Sequence, residues 1–484
     1  MNMITSQSAK NLASIMFAFG IGAVNTLILY PHFFGAANQG LVVFLLSSSN
    51  LLMPLIGFGV AQTVIKFHSS YTKPAQQNFL SFIVLLPLAV VLPIGFLVLY
   101  FHDAIASLLS VENPIIETYT WVIFAVAFAT AYFEVFYSWA RVHFKSVTGN
   151  ILKEIYPRLS IFILLLLFGL KLIDLDFFFV LLVGLYYVRL LLMMFLAFKI
   201  QPPNWSFKIP ENTMELLRYS LFLVLAASAG SLIIDIDKFM LPQYKAIEQT
   251  AFYSVGIFTA TLIEVPGRAM FQILNPIIAK ALNEQNKAQL AKLYKDSSIN
   301  LLLLGGWFFL LVNGSITSLF ALMDDQGYGN AVLVVLMISF AKLVVMSSGA
   351  STTMLINSKK YHIALILTIF MAVFVVVGNY LLIPLYGING AALSTLVVVV
   401  VFSFLRMGYV YRVFGVQPYD RHTALAFAVI GLLYGVVGQI ELDLHPLAVI
   451  LLKSVLITLV YGCLISLLKL SKTVNGWVSR ITDR

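Results

Sequence analysis

A single cysteine, Cys463, stands in a chain of 484 residues, so neither an internal disulfide nor a thiolate metal cluster can form. Seven histidines, His32, His68, His102, His143, His362, His422 and His445, fall at loops and helix ends without ligand spacing, and no metal site is expected. Charge is scarce as well: Asp, Glu, Lys and Arg make up 11% of the chain, where a soluble domain carries roughly 25%. No P-loop, nucleophile motif or glycine-rich phosphate cradle occurs, so ATP is not expected as an energy source and no cofactor is implied. A cleavable signal is missing too, because the first apolar run is too long for a signal-peptide core and no small-residue cleavage site follows it. That run is expected to remain as the first membrane helix.

What fills the chain instead is apolar surface, with 60% hydrophobic residues and a mean hydropathy of +0.94. A run of about 20 apolar residues crosses the hydrocarbon as a helix, since only a helix satisfies its own backbone polar groups there. Spans are expected near residues 9–30, 41–66, 79–101, 117–139, 155–172, 177–198 and 217–241. A second group is expected near 250–275, 298–320, 329–352, 361–384, 387–411, 422–440 and 446–468. The fold class is therefore an all-α integral membrane protein of about fourteen transmembrane helices.

The basic residues give an independent check on that count, because a wrong number of spans would scramble the positive-inside alternation. With the N-terminus inside, 23 of the 30 Lys and Arg residues collect in cytoplasmic segments, among them Lys66, Lys73, Arg141, Lys145, Lys280, Lys292, Lys359, Lys360, Arg406, Arg412 and Lys469. Only Lys171, Lys238 and Lys245 fall outside, and the outer loops carry acids such as Asp103, Glu112, Asp174, Asp176, Asp324 and Asp325. Both termini are expected in the cytoplasm, and the net charge of +9 reflects topology rather than nucleic-acid binding.

All loops are short, and the longest, near 199–216 and 276–297, are both inside. A membrane enzyme of glycan assembly would need a sizeable outer loop or an acidic catalytic pair. Asp174 with Asp176, and Asp324 with Asp325, are such pairs on paper, but solvated turn residues flanking helices account for them better. Transport fits better than catalysis. Internal repetition points the same way: "YPHFFGAANQG" leads to a helix interrupted by Pro54, and "LPQYKAIEQTAFYS" to one interrupted by Pro266, with proline spacings of 23 and 24. Two pseudo-symmetric six-helix lobes follow, at 1–200 and 201–415, with a C-terminal helix pair and cytoplasmic tail at 416–484.

The uncharged hairpin "YLLIPLYGINGAALST" has a local rationale. Pro384 is expected to stop one helix, Gly387 to take a positive φ, and Gly390 with Ala391 and Ala392 to let the next helix start close against its partner. Together with the turn at Pro31, Gly35 and Gly40, with "DIDKFMLPQY" at 235–244, with "VPGRAMFQILNPIIAKAL" at 265–282 and with the span count, it resembles Wzx-type oligosaccharide flippases. These are the polysaccharide-transporter branch of the superfamily that also holds MATE-type multidrug exporters and lipid II flippases. The resemblance covers roughly residues 5–470. It implies movement of undecaprenyl-diphosphate-linked oligosaccharide across the bacterial cytoplasmic membrane by alternating access of two lobes around a cationic cavity. Its implied partners are that lipid-linked substrate, membrane lipids, a polysaccharide polymerase and a proton or sodium coupling ion.

Charges within the spans are weighed against that implication, since each costs about 3 kcal/mol at a helix centre and normally faces a partner or a wet cavity. Arg189 lies in the sixth span, Glu264 and Arg268 in the eighth, and Lys342 in the tenth. Glu264 and Arg268 are four apart and are expected to neutralise each other on one helix face, leaving Arg189 and Lys342 without an acid at their depth. Arg189, Arg268, Lys342 and Arg141, the last beside Glu134 near the cytoplasmic edge, are the candidate substrate-binding cations, because guanidinium forks and ammonium charges suit a diphosphate. Glu264, Asp235, Asp237 and Lys238 are the candidate coupling and gating groups, with Asp235 and Lys238 spaced to pair. For each, structural pairing is the competing reading. Residues 283–297, "NEQNKAQLAKLYKDS", form a basic amphipathic segment expected to lie on the anionic inner leaflet with Leu290, Leu293 and Tyr294 to one side.

A MATE-like cation exporter is the main alternative. It would be expected to carry an ion-coupling acid in the first lobe, and the span at 9–30 has none.

Overall fold

The computed structural model describes residues 14–204, 209–323 and 327–471, and every regular element among them is a helix. Asp324 and Asp325, the second acidic pair, lie outside the described residues. The chain divides into two compact units, Met1–Ala251 and Phe252–Arg484.

In the first unit, a helix over residues 14–24 runs on as a π-helix over Asn25–Phe34, together α1. Pro31 sits inside that π segment, and Gly35 ends it with a φ of 76°. There follow α2 (Gly35–Ile56), α3 (Val60–Phe67), α4 (Lys73–Tyr100), α5 (His102–Leu109), α6 (Ile115–Val142), α7 (Ser146–Gly169), α8 (Leu175–Ile200) and α9 (Thr213–Met240). The axial helix is α6, with 17 of its 28 residues buried. Its middle carries the small residues Ala127 and Ala131, against which Ile56 of α2 packs. Aromatic clusters seal the unit at both ends, Phe34, Phe44, Phe178 and Phe179 at one and Phe79, Phe133 and Trp139 at the other.

α9 passes through a 3₁₀ turn, Leu241–Gln243, toward α10 (Glu248–Ala260). The side chain of Asn113 clasps this connection: its amide donates to the carbonyls of Pro242 at 2.7 Å and Lys245 at 2.9 Å, and its oxygen accepts from the Ile247 amide at 2.9 Å. A Cβ at Gly40 would fall against the Ile247 carbonyl, far inside van der Waals contact. Gly40 is thus a place where α2 and a connecting backbone touch, which only glycine allows.

The second unit contains α11 (Val265–Asn283), α12 (Lys287–Ala321), α13 (Val332–Ser347), α14 (Ser351–Ile356), α15 (Tyr361–Tyr386), α16 (Ile388–Phe414), α17 (Arg421–Gly438) and α18 (Pro446–Leu467). Its axis is α12, whose 35 residues make a rod of about 52 Å at 1.5 Å per residue. The hydrocarbon is about 30 Å thick, so one end projects beyond it. α17 and α18 dock on this rod: a Cβ at Gly306 would collide with Ile430, and the Tyr461 hydroxyl donates to the Leu303 carbonyl at 2.9 Å.

Two local expectations are corrected. Pro384 does not stop α15, which runs to Tyr386. The stop is Gly387, whose φ of 57° breaks the helix, while the backbone at Gly390 lies against Leu382 so closely that a Cβ would collide with its carbonyl. Residues 287–297 do not lie apart on a surface either; they are the first three turns of α12, with Leu290 and Tyr294 buried against the rest of the unit. Apolar spacing suited a surface helix and a buried rod end alike, and packing decided for the second.

Eleven helices among the described residues are long and apolar enough to cross a membrane, which makes this a multi-pass membrane protein. The eleven differ from the expected fourteen in three places. Ser14–Ile56 forms one 43-residue apolar stretch. Lys153, Glu154 and Arg158 lower the apolar character of α7. The eighth expected span is broken at a 3₁₀ turn, Thr261–Glu264, between α10 and α11.

Candidate functional site

In the first unit, α6 and α8 pack side by side and bury Arg189, which is 4% exposed. Its Nη2 donates to the Thr130 hydroxyl at 3.1 Å, and its guanidinium lies 4.5 Å from the ring centroid of Phe133 and 4.7 Å from that of Tyr186. Nε is buried without a partner, and no carboxylate comes within ion-pair distance among the described residues. Glu134, next in sequence to Phe133, is committed elsewhere, at 2.6 Å from the Lys153 ammonium. Cation–π contacts of about 0.5–2 kcal/mol offset part of the desolvation cost of this guanidinium but supply no counter-charge.

Asp235 and Lys238 form the pair their spacing predicts, at 2.7 Å on α9. The other Asp235 oxygen accepts from the Asn50 amide of α2 at 3.3 Å. Asp237, between them in sequence, is buried. Arg141 is exposed at the end of α6, 5.7 Å from the Tyr137 ring centroid. Of the outer acids, Asp174 caps α8 by accepting from the Phe177 amide at 2.8 Å, and Asp176 accepts from the Tyr119 hydroxyl at 2.6 Å. Both have structural duties.

In the second unit the expected pairing of Glu264 with Arg268 does not occur. Glu264 instead meets Lys342 of α13 at 2.9 Å, and Arg268 is exposed on α11 with no ion pair among the described residues. Glu264 stands at the junction of the 3₁₀ turn Thr261–Glu264 and α11, where the packing of α13 brings the Lys342 ammonium to its carboxylate.

Arg406, counted from the sequence among the cytoplasmic charges, is a further candidate cation. It lies within α16, eight residues before the helix end, about 12 Å from it. Its Nη1 donates to the Thr352 hydroxyl of α14, it lies near Tyr294 of α12, and its Nε is buried without a partner. No carboxylate pairs with it among the described residues. Its place eight residues inside the end of α16 was the available signal. Each unit thus holds an arginine inside its helices with no acid beside it, while Glu134, Asp235 and Glu264 each sit on a lysine.

Outside the spans, the Asp420 carboxyl caps α17 through the amides of His422 at 2.9 Å and Thr423 at 3.1 Å, and meets Lys295 at 2.8 Å. Burial alone would raise its pKa; the hydrogen bonds and the ammonium outweigh burial and hold it well below the usual carboxylate range. His68 is pushed down by burial and by the His143 ring 5.1 Å away.

No family model and no curated relative matches the sequence. Solved structures do match its fold. The lipid II flippase MurJ, in an inward closed conformation, aligns with a TM-score of 0.71 at 12% identity, over 94% of this chain and 98% of that one. An inward-facing MATE-family multidrug resistance transporter of the MOP superfamily aligns at 0.60 with 16% identity, over 89% and 96%. A MOP-superfamily transporter from Pyrococcus furiosus aligns at 0.55 with 14% identity, over 88% and 96%. The chain therefore has the MurJ- and MATE-like transporter fold, and these matched structures are transporters and a flippase rather than enzymes.

Proposed function

We propose that this protein translocates undecaprenyl-diphosphate-linked oligosaccharide from the inner to the outer leaflet of the bacterial cytoplasmic membrane, by alternating access, for synthesis of a cell-surface polysaccharide. One observation carries this reading: among the described residues, the charges within the helices that have no carboxylate at ion-pair distance are basic, Arg189, Arg268, Arg406 and Lys453, whereas Glu134, Asp235 and Glu264 are held by lysines. A cation poised in this way suits an anion. The diphosphate of a lipid-linked sugar is such an anion, and guanidinium binds its oxygens in a fork.

Arg189, Arg268, Arg406, Lys342 and Arg141 are the proposed substrate contacts. The pairs Asp235 with Lys238 and Glu264 with Lys342, together with Asp237, are the proposed coupling and gating groups, since protonating or binding a cation at either carboxylate would release its lysine. An exporter of organic cations needs the opposite arrangement, with an acid left available and the basic groups neutralised.

The test is glycan export by single variants expressed at matched abundance. Arg189→Ala and Arg268→Ala should abolish export while the protein stays in the membrane at its normal level. Recovery by Lys at either position would show that charge matters more than the fork. Full export by both Ala variants would overturn the anionic-substrate reading, and a fall in abundance instead would assign the arginines a structural role.

A further inference from the structure

The projecting end of α12 borders a cavity of about 620 Å³ whose other walls are the start of α17 and the residues that follow α18. That volume lies within the range of about 300–1,000 Å³ common to small-molecule sites. Lys292 and Lys295 stand on α12, and Lys469 enters from the far side. Lys295 is tied to Asp420 at 2.8 Å. The side chains of Lys292 and Lys469 make no hydrogen bond or ion pair among the described residues, so two ammonium groups face the cavity uncommitted. The first turn of α17 adds nothing, because Asp420 already accepts from its amides. At the base, the Ser471 hydroxyl donates to the Asn300 side-chain oxygen at 2.6 Å. Ile299 and Leu470 make part of the lining apolar.

The position matters as much as the charge. Lys469 stands two residues beyond α18, whose 22 residues match the hydrocarbon thickness at about 33 Å. The cavity therefore opens at headgroup depth, on the end of the unit that the distribution of basic residues assigns to the cytoplasm. Lysines beside an apolar edge at that depth match an amphiphile whose phosphate enters and whose chains stay in the bilayer.

We propose that this cavity binds the phosphate of an anionic phospholipid headgroup from the inner leaflet, held by Lys292 and Lys469, with Asp296 as the opposing charge that limits affinity. The site is separate from the arginines discussed above and does not depend on the flippase reading, because it is tested by lipid binding to the purified protein.

Full-length protein in a neutral detergent is titrated with dioctanoyl phosphatidylglycerol, with dioctanoyl phosphatidylcholine and with inorganic phosphate, and thermal unfolding is followed. The glycerol lipid should give a saturable rise in the unfolding midpoint that the choline lipid and inorganic phosphate do not. Each lysine is worth about 1 kcal/mol near an anionic surface, so Lys292→Gln with Lys469→Gln should weaken the apparent affinity roughly 25-fold. Asp296→Asn should strengthen it about fivefold by removing a competing carboxylate, and it keeps the proposal testable if the double variant fails to fold. An equal midpoint rise with inorganic phosphate would overturn the lipid as the source of the phosphate. An unchanged affinity in both variants would overturn the site.

Discussion

Arg189 is buried beside Thr130, Phe133 and Tyr186, with no carboxylate at ion-pair distance among the described residues. Buried charge of this kind is costly to stability, and exchanging it for a well-packed apolar side chain is often neutral or stabilising by about 1–4 kcal/mol. Arg189→Met should therefore raise the thermal midpoint of the purified protein, or leave it unchanged, while abolishing export. A large drop in midpoint would mark the arginine as structural. Glu264 and Lys342, each about a quarter exposed, make a second residue-scale prediction. Glu264→Gln strands the ammonium and should destabilise by more than the ~1 kcal/mol of an exposed pair and less than the roughly 3–5 of a fully buried one. Lys342→Met in the same chain should restore most of the loss, and Arg268→Ala should leave it unchanged, a double-mutant cycle that checks the partner assignment. Residue identity alone disclosed that these charges lie in spans. It did not disclose the Glu264 partner, because spacing in sequence shows only neighbours on the same helix, and Lys342 reaches Glu264 from α13 by tertiary packing.

Helix ends were legible where backbone chemistry is decisive and illegible where packing is. Gly387 could be read as a turn because few other residues accept its φ, whereas Pro384 looked like a stop and is in fact carried to within two residues of the end of α15. Gly390→Ala should separate α15 from α16, since the added carbon meets backbone rather than a movable side chain. The expected loss is at least the 1–3 kcal/mol of an overpacked core, read as a lower unfolding midpoint. Gly40→Ala should behave alike against Ile247. Asp420 ties α17 to α12, and Asp420→Ala should cost about 1–2 kcal/mol at neutral pH, the worth of a lost cap. The folded pKa of this carboxyl is depressed. Its contribution is therefore complete above the unfolded value of about 3.9 and disappears as pH falls through the lower folded value. The difference between wild type and variant should hold from pH 7 to about 5 and narrow only in stronger acid, as measured by parallel unfolding curves.

At the scale of the molecule, composition was enough to give the helical membrane class, because lipid restricts a chain to helices, whereas the transporter fold came from the resemblance of its motifs. Arg406 shows the limit: summed with loop residues it supported the topology, yet its side chain lies among α12, α14 and α16. The long apolar stretch Ser14–Ile56 is, at about 65 Å, twice the hydrocarbon thickness. Reporter fusions at residues 68–72 and 357–360 should report the cytoplasm, and fusions at 110–114 and 439–445 the opposite face. Transport of a lipid-linked glycan is measured most directly in a strain lacking the gene. Lipid-linked oligosaccharide is quantified on each membrane face together with surface polysaccharide. Accumulation on the cytoplasmic face with loss of the surface glycan, reversed by the wild-type chain and not by Arg189→Ala, is the predicted result. Normal surface glycan with altered resistance to cationic drugs would contradict it and make Asp235, Asp237 and Glu264 the residues to pursue.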